Sequence, residues 1–269
     1  MSFIYTALSS SFLVLCFFSL ILLFREKLSI NFISFIYFLS FGIANLLLIL
    51  FIHQHRLFKV QFLNLKIRIV FKEHFKYSKW IIAGGFLFWV YSQGVYLIAD
   101  ILGIDDLSIG KVRTIQNLLG LFSILIISME SYYIPIFSSQ EKLLPQPVKD
   151  FYKKFKFPLI LLLLISLPVL YLIYNWFYEG KYGDGTIILL IIWCSQFLTV
   201  MLRPLSMALK AKEITFPLFK THIAAIISLL TLGILFIYLW EKLGIALAIF
   251  TAFLSSNIIL FFYYKKLIR

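Results

Sequence analysis

Polar and aromatic side chains suited to binding a sugar or a phosphate recur at helical spacing inside otherwise apolar stretches of this 269-residue sequence. Trp89, Gln93, Tyr96 and Asp100 follow one another at i, i+4, i+7 and i+11, which gathers them on one helix face. Arg113, Gln116, Asn117, Gly120, Ser128 and Ser131 fall within about 60° of one line at 100° per residue, so they form a polar stripe. Trp193, Gln196, Arg203 and Met207 make a third group of the same kind. Amides offer paired donors and acceptors for hydroxyl groups, guanidinium groups match phosphate, and large ring faces give a stacking surface. Three helices with such faces could enclose a hydrated cavity with Arg113 as the anion contact, Gln93, Gln116, Asn117 and Gln196 as sugar or network contacts, and Trp89 as the stacking surface.

The same residues admit plainer readings, and both stay open at this point. Gln93, Gln116, Asn117 and Gln196 could be hydrogen-bond glue between helices. Arg113 and Asp100 lie near enough to the ends of their apolar stretches to snorkel to water. Arg203, Lys220 and His222 read as anchors at a helix end. Glu130 is deeper, about 10 Å from the nearer end by helical rise. A carboxyl at that depth is either protonated or paired with a cation, and ion coupling is a role open to it and to Asp100.

The elements that must carry these faces follow from composition. Hydrophobic residues make up 62% of the chain and charged residues only 14%, and the mean hydropathy is +0.97. A soluble fold of this length hides only about three quarters of its surface, so that much apolar side chain calls for lipid as the covering. Apolar stretches about 20 residues long, the length that crosses roughly 30 Å of hydrocarbon, lie near 4–24, 30–52, 80–102, 111–136, 157–178, 186–207, 217–239 and 244–264. Continuous apolar runs fit helices, whereas barrel strands would alternate. The expected fold is all-α, a polytopic transmembrane bundle of about eight spans.

Charge orients it. Seventeen Lys and Arg fall in the longer connections and at the C-terminus, against six (Arg25, Lys27, Lys111, Arg113, Lys181, Lys242) on the opposite side. The positive-inside rule then puts the rich side, and both termini, in the cytoplasm. The basic residues sit in short clusters between apolar runs and not along one stripe, which argues against nucleic acid as a partner. The first apolar run lacks the basic leader and the short core of a secretory signal. Residues 53–79, the one long connection, mix Leu57, Phe58, Phe62 and Phe71 with Lys and Arg. They are expected to form a basic amphipathic cytoplasmic connector lying among headgroups, or a merely solubilising loop.

Soluble-enzyme signatures such as GxGxxG, a Walker A loop, HExxH or GxSxG do not occur. His53 and His55 have no nearby Cys, Asp or further His to complete a metal site, and Cys16 and Cys194 lie inside apolar runs as packing residues. Neither a catalytic centre, a metal nor a cofactor is expected.

Several short motifs, taken in order, carry a resemblance. Tyr77-Ser78-Lys79-Trp80 leads into an apolar run, Asp100 to Gly103 is followed by Leu107-Ser108-Ile109-Gly110, and a long run ends in Tyr133 to Ser138 around Pro135. Phe157-Pro158, Pro168 and the stretch from Tyr174 to Gly180 come next, then Met207 to Lys212 and Leu243 to Ala248. Over roughly 75–266 this order resembles polysaccharide flippases of the Wzx type, within the multidrug/oligosaccharidyl-lipid/polysaccharide exporter superfamily. The resemblance implies a non-enzymatic transporter of the bacterial inner membrane that flips an undecaprenyl-pyrophosphate-linked oligosaccharide, such as an O-antigen repeat unit. Its partners would be the bilayer, the lipid-linked oligosaccharide and other polysaccharide assembly proteins. It also implies two lobes: residues 1–52 would complete an N-terminal lobe, 53–79 would connect, and 80–269 would form a six-span C-terminal lobe, with the family's first four or more spans missing. A drug or cation exporter of the same superfamily, a polytopic polysaccharide polymerase and an inactive remnant are the alternatives.

Overall fold

In a computed structural model the described residues are 67–139 and 145–267, together with most of 35–46. The chain divides into two compact units, Met1–Lys66 and Ile67–Arg269. In the first, the described residues are helical, and the polar side chains fold back on their own helix: Ser40 Oγ donates to the Ile36 carbonyl and Asn45 Nδ2 to that of Phe41, both at 2.7 Å. Cys16, His53, His55, the expected span 4–24 and the first part of the connector lie outside the described residues.

The second unit is all-α, with no strand among the described residues. Its helices are α1 (Ile67–Ile101), α2 (Asp106–Leu119), α3 (Leu121–Ser139), α4 (Pro145–Tyr182), α5 (Thr186–Ala211), α6 (Phe216–Ser228) and α7 (Ile234–Leu267), with a short π-helical segment (Leu229–Gly233) joining the last two. Among the described residues, five stretches are long and apolar enough to cross a bilayer: His74–Ile101, Asp106–Ser139, Pro145–Tyr178, Thr186–Ala211 and Phe216–Leu267.

The last of these is 52 residues long, about 78 Å of straight helix, against roughly 30 Å of hydrocarbon. It does not run straight. Glu241, at φ 47° and ψ −120°, breaks α7, and the chain turns back on itself. A Cβ on Gly233 would lie 3.2 Å from that of Ala248, and Lys220 Nζ sits 5.6 Å from the ring of Tyr263 at the far end. The stretch is therefore a hairpin of two antiparallel arms that approach closely at Gly233 and the fully buried Ala248. Small residues let helix backbones approach closely where lipid supplies no hydrophobic drive between helices.

Local chemistry sets the other reversals. After α1, Gly103 takes φ 79° while its N–H and that of Ile104 bond back to Asp100 and Ala99, closing the helix end. Asp105, extended at φ −64° and ψ 146°, then caps α2 by accepting from the Ser108 N–H at 2.8 Å. Between α4 and α5, Gly183 takes φ 65°, and Asp184 accepts from both the N–H and the hydroxyl of Thr186. Lys111 and Tyr174, both buried, hold this turn: Lys111 Nζ donates to the Asp184 carbonyl at 2.9 Å and Tyr174 to that of Gly183 at 3.0 Å.

Two expected boundaries move. Apolar content alone starts a span at Trp80, yet α1 is already helical at Ile67, because the basic residues of the connector's second part sit on a continuous helix. The fourth expected span, 111–136, becomes Asp106–Ser139 with an interruption at Gly120, whose N–H bonds to the Asn117 carbonyl, one residue closer than in an α-helix. Pro135, Pro158, Pro168 and Pro204 all lie inside helices. The main core joins Tyr91 and Val95 of α1, Ile115 of α2, Leu163 and Tyr174 of α4, Ile192 of α5 and Ile249 of the final arm.

Candidate functional site

Between α1, the α2–α3 pair, α5, α6 and the final arm of α7 lies a cavity of about 550 Å³. Along α1 it reaches from Trp80 to Gln93, about 20 Å by helical rise. Its walls are built in three parts. Trp80, Phe88, Tyr91 and Phe253 present aromatic rings; Gln93, Gln116, Asn117, Gln196 and Asn257 present amides; and Arg203, Lys210 and His222 stand toward the Lys-rich end.

Helical spacing explains how α5 supplies its share. Gln196, Thr199, Arg203, Ser206 and Lys210 recur at intervals of three and four, so one stripe of the helix turns every one of them to the cavity. On α1, Trp80, Gly84, Phe88 and Tyr91 repeat the same intervals. Gly84 is required by its neighbour, since a Cβ there would lie 2.9 Å from Cδ2 of His222. The His222 ring stacks on Tyr91, with centroids 5.9 Å apart, and its Nδ1 is 3.3 Å from the Tyr91 hydroxyl.

The amides differ in freedom. Gln116 is tied at both ends to α1: its Oε1 accepts from the Tyr96 hydroxyl and its Nε2 donates to the Ser92 carbonyl at 3.3 Å. It holds helices together. Asn257 donates to Thr199 Oγ1 at 3.2 Å and links the final arm to α5. Gln93, Asn117 and Gln196 line the open space.

The charged groups form one cluster. Glu130 Oε1 receives Arg203 Nη2 at 2.7 Å and Lys210 Nζ at 2.8 Å. Both cations line the cavity, whereas Glu130 stands behind them on α3, outside the lining. One carboxylate cannot neutralise two cations, so the cluster keeps one net positive charge. Arg203 Nε is buried and, among the described residues, without a hydrogen-bond partner. A spare buried donor beside two cations favours an anion.

The residues singled out from sequence thus separate. Gln93, Gln116, Asn117 and Gln196 come together around the cavity. Trp89, 60% exposed, faces away from it, and Trp80 supplies the cavity indole in its place. Arg113 is exposed, with its guanidinium 6.0 Å from the ring of Tyr96, and Asp100 is exposed at the end of α1. Neither reaches the cavity. Ser128 and Ser131 are exposed also, because the interruption at Gly120 breaks the phase of the polar stripe. Trp193 donates to Ser166 of α4 at 3.1 Å, and Met207 is buried in a second core with Phe137 and Phe151. Arg203, grouped from sequence with Gln196 on one polar face and also read as a helix-end anchor, lines the cavity together with Lys210, which was counted among the charges of the connections. The i, i+7 spacing of Arg203 and Lys210 on a helix already carrying Gln196 was the available signal.

Comparisons with protein-family models, with curated proteins and with solved structures find no match.

Proposed function

We propose that the chain serves to move an undecaprenyl-pyrophosphate-linked oligosaccharide across the bacterial inner membrane. The observation that carries this reading is the cavity, which joins free amides and ring faces to a cationic pole in one space. That is the chemistry of a sugar attached to a phosphate: amides for hydroxyl groups, rings for stacking, Arg203 and Lys210 for the anion. The net positive charge of the Glu130 cluster disfavours a cation as cargo. About 550 Å³ accommodates a headgroup of one or two sugars with its phosphates, the remainder of the molecule staying outside.

In this reading the chain has eight spans, two within 1–52 and six within 80–269, the hairpin arms counted separately. Lys72, Lys76, Lys79, Lys153, Lys154, Lys265 and Lys266 mark the cytoplasmic end, with both termini on that side. The cationic pole then faces the compartment in which the substrate is assembled. Alternating access would come from this lobe moving against a second one around the cavity.

Transport of a lipid-linked oligosaccharide by the protein in proteoliposomes tests the reading. Arg203→Gln is expected to lower the rate at least about tenfold, the equivalent of about 1.4 kcal/mol of lost anion contact, while Arg113→Ala stays within about twofold. Full transport by Arg203→Gln, or none by the wild-type protein, would rule this reading out.

A further inference from the structure

Two cations that face a cavity while sharing a carboxylate behind them already have a ligand, and an incoming anion must displace it. Arg203 and Lys210 both contact the same oxygen, Oε1 of Glu130, at 2.7 Å and 2.8 Å. The two cations come from α5 and the carboxylate from α3, so this single oxygen ties the two helices together at the Lys-rich end. Among the described residues, no carboxylate lines the cavity itself. Titratable side chains that feel the charges of the cluster include Tyr77 of α1, facing Glu130, Tyr91 of α1, facing Arg203, and His222 of α6, facing Arg203 and Lys210. Glu213, just beyond α5, is exposed and acts on Tyr77, whereas Glu130 contacts both cations directly.

Charge arithmetic then decides what accompanies an anion. Empty, the cluster holds two positive charges and one negative. A dianion placed on Arg203 and Lys210 with Glu130 still ionised leaves a net negative charge and two like charges side by side in a partly buried space. If Glu130 takes up a proton, the total is neutral. Like-charged neighbours and loss of hydration both favour the protonated carboxyl.

We propose that Glu130 is an exchangeable internal counter-ion: a phosphate-type dianion takes its place on Arg203 and Lys210, and Glu130 binds a proton from water in the same step. The Arg203–Glu130 and Lys210–Glu130 ion pairs break, the corresponding pairs to the anion form, and a proton adds to the freed carboxylate. Anion and proton therefore bind together, and each raises the affinity for the other by the same factor. Because the broken pairs also tie α3 to α5, anion binding loosens the bundle at the end where the anion enters. The proposal rests on the anion reading of the cavity and adds the linkage to protons.

Sulfate is the probe, since it remains a dianion across the neutral range and any pH dependence then belongs to the protein. Its binding to the purified full chain in nanodiscs, followed by calorimetry, is expected to tighten about tenfold between about pH 8 and about pH 6. Up to one proton should be taken up per sulfate, read from the heats in two buffers of different ionisation enthalpy. Glu130→Gln should bind sulfate at pH 8 at least as tightly as the wild-type protein does at pH 6, with a flat profile, and Glu130→Asp should restore the slope. A flat wild-type profile without proton uptake, an equally steep Glu130→Gln profile, or no sulfate binding at all would overturn the proposal. The wild-type proton count needs no variant, so a poorly folding Glu130→Gln leaves the test intact. A flat profile with intact oligosaccharide transport removes the proton linkage alone, whereas preserved linkage without transport removes the substrate.

Discussion

Lys111 and Arg113 show how little residue type says without its surroundings. Both were placed by charge at the same end of the same helix, yet Lys111 is buried and clamps the Asp184 carbonyl at 2.9 Å, while Arg113 stays exposed. Lys111→Met keeps the volume and removes the donor, leaving a carbonyl at the turn without its partner. It is expected to destabilise the protein by about 1–3 kcal/mol, measured by thermal unfolding in detergent, whereas Arg113→Met should change little. The carboxyls of Asp105 and Asp184 are held below the usual carboxylate range, the first by its bonds from the side chain and N–H of Ser108, the second by those from Thr186. A lowered value in the folded state stabilises above the unfolded value of about 3.9 and is lost as pH falls through the lowered one. Melting temperature should thus fall below about pH 4, and the double variant Asp105→Asn, Asp184→Asn should flatten that part of the curve.

At the scale of the element, apolar length was legible and chain direction was not. The spans expected at 157–178, 186–207, 217–239 and 244–264 all lie within helices, because a run of apolar residues with every backbone bond internal has one way to satisfy its amides in lipid. The last two form one helical stretch broken at Glu241, a residue with no turn signature of its own. Gly244 is the local clue: a Cβ there would collide with the Phe236 carbonyl and lie 2.7 Å from the Ile237 Cα. Those are backbone atoms and cannot yield. Gly244→Ala is expected to cost more than about 2 kcal/mol, while Gly85→Ala, with nothing within 4 Å of its Cβ, gains up to about 1 kcal/mol of helix propensity. Thermal melts of the two variants give the comparison.

For the whole molecule, the distribution of Lys and Arg sets the expected orientation. A reporter fused after Arg269 should be active in the cytoplasm and a Lys181→Cys variant should label from outside; the reverse pattern would invert the cavity's cationic pole and with it the direction of loading. The interior was legible only in part. Four amides were found from helical phase, since phase survives wherever the helix is regular. Trp89 was misjudged against Trp80, and Ser128 and Ser131 against Gly120, because phase measures angle around one axis and says nothing of which side a neighbour occupies.

By itself the sequence determined the all-α class, the places where apolar helices form and the basic end, because each follows from local hydrophobicity, backbone satisfaction and charge. Tertiary structure decided the rest. Glu130 on α3 meets Arg203 and Lys210 of α5, and Tyr91 of α1 meets His222 of α6, across separations along the chain that no spacing within one helix foretells. Helix packing alone brings them together, and an ion pair depends on distance in space, not along the chain.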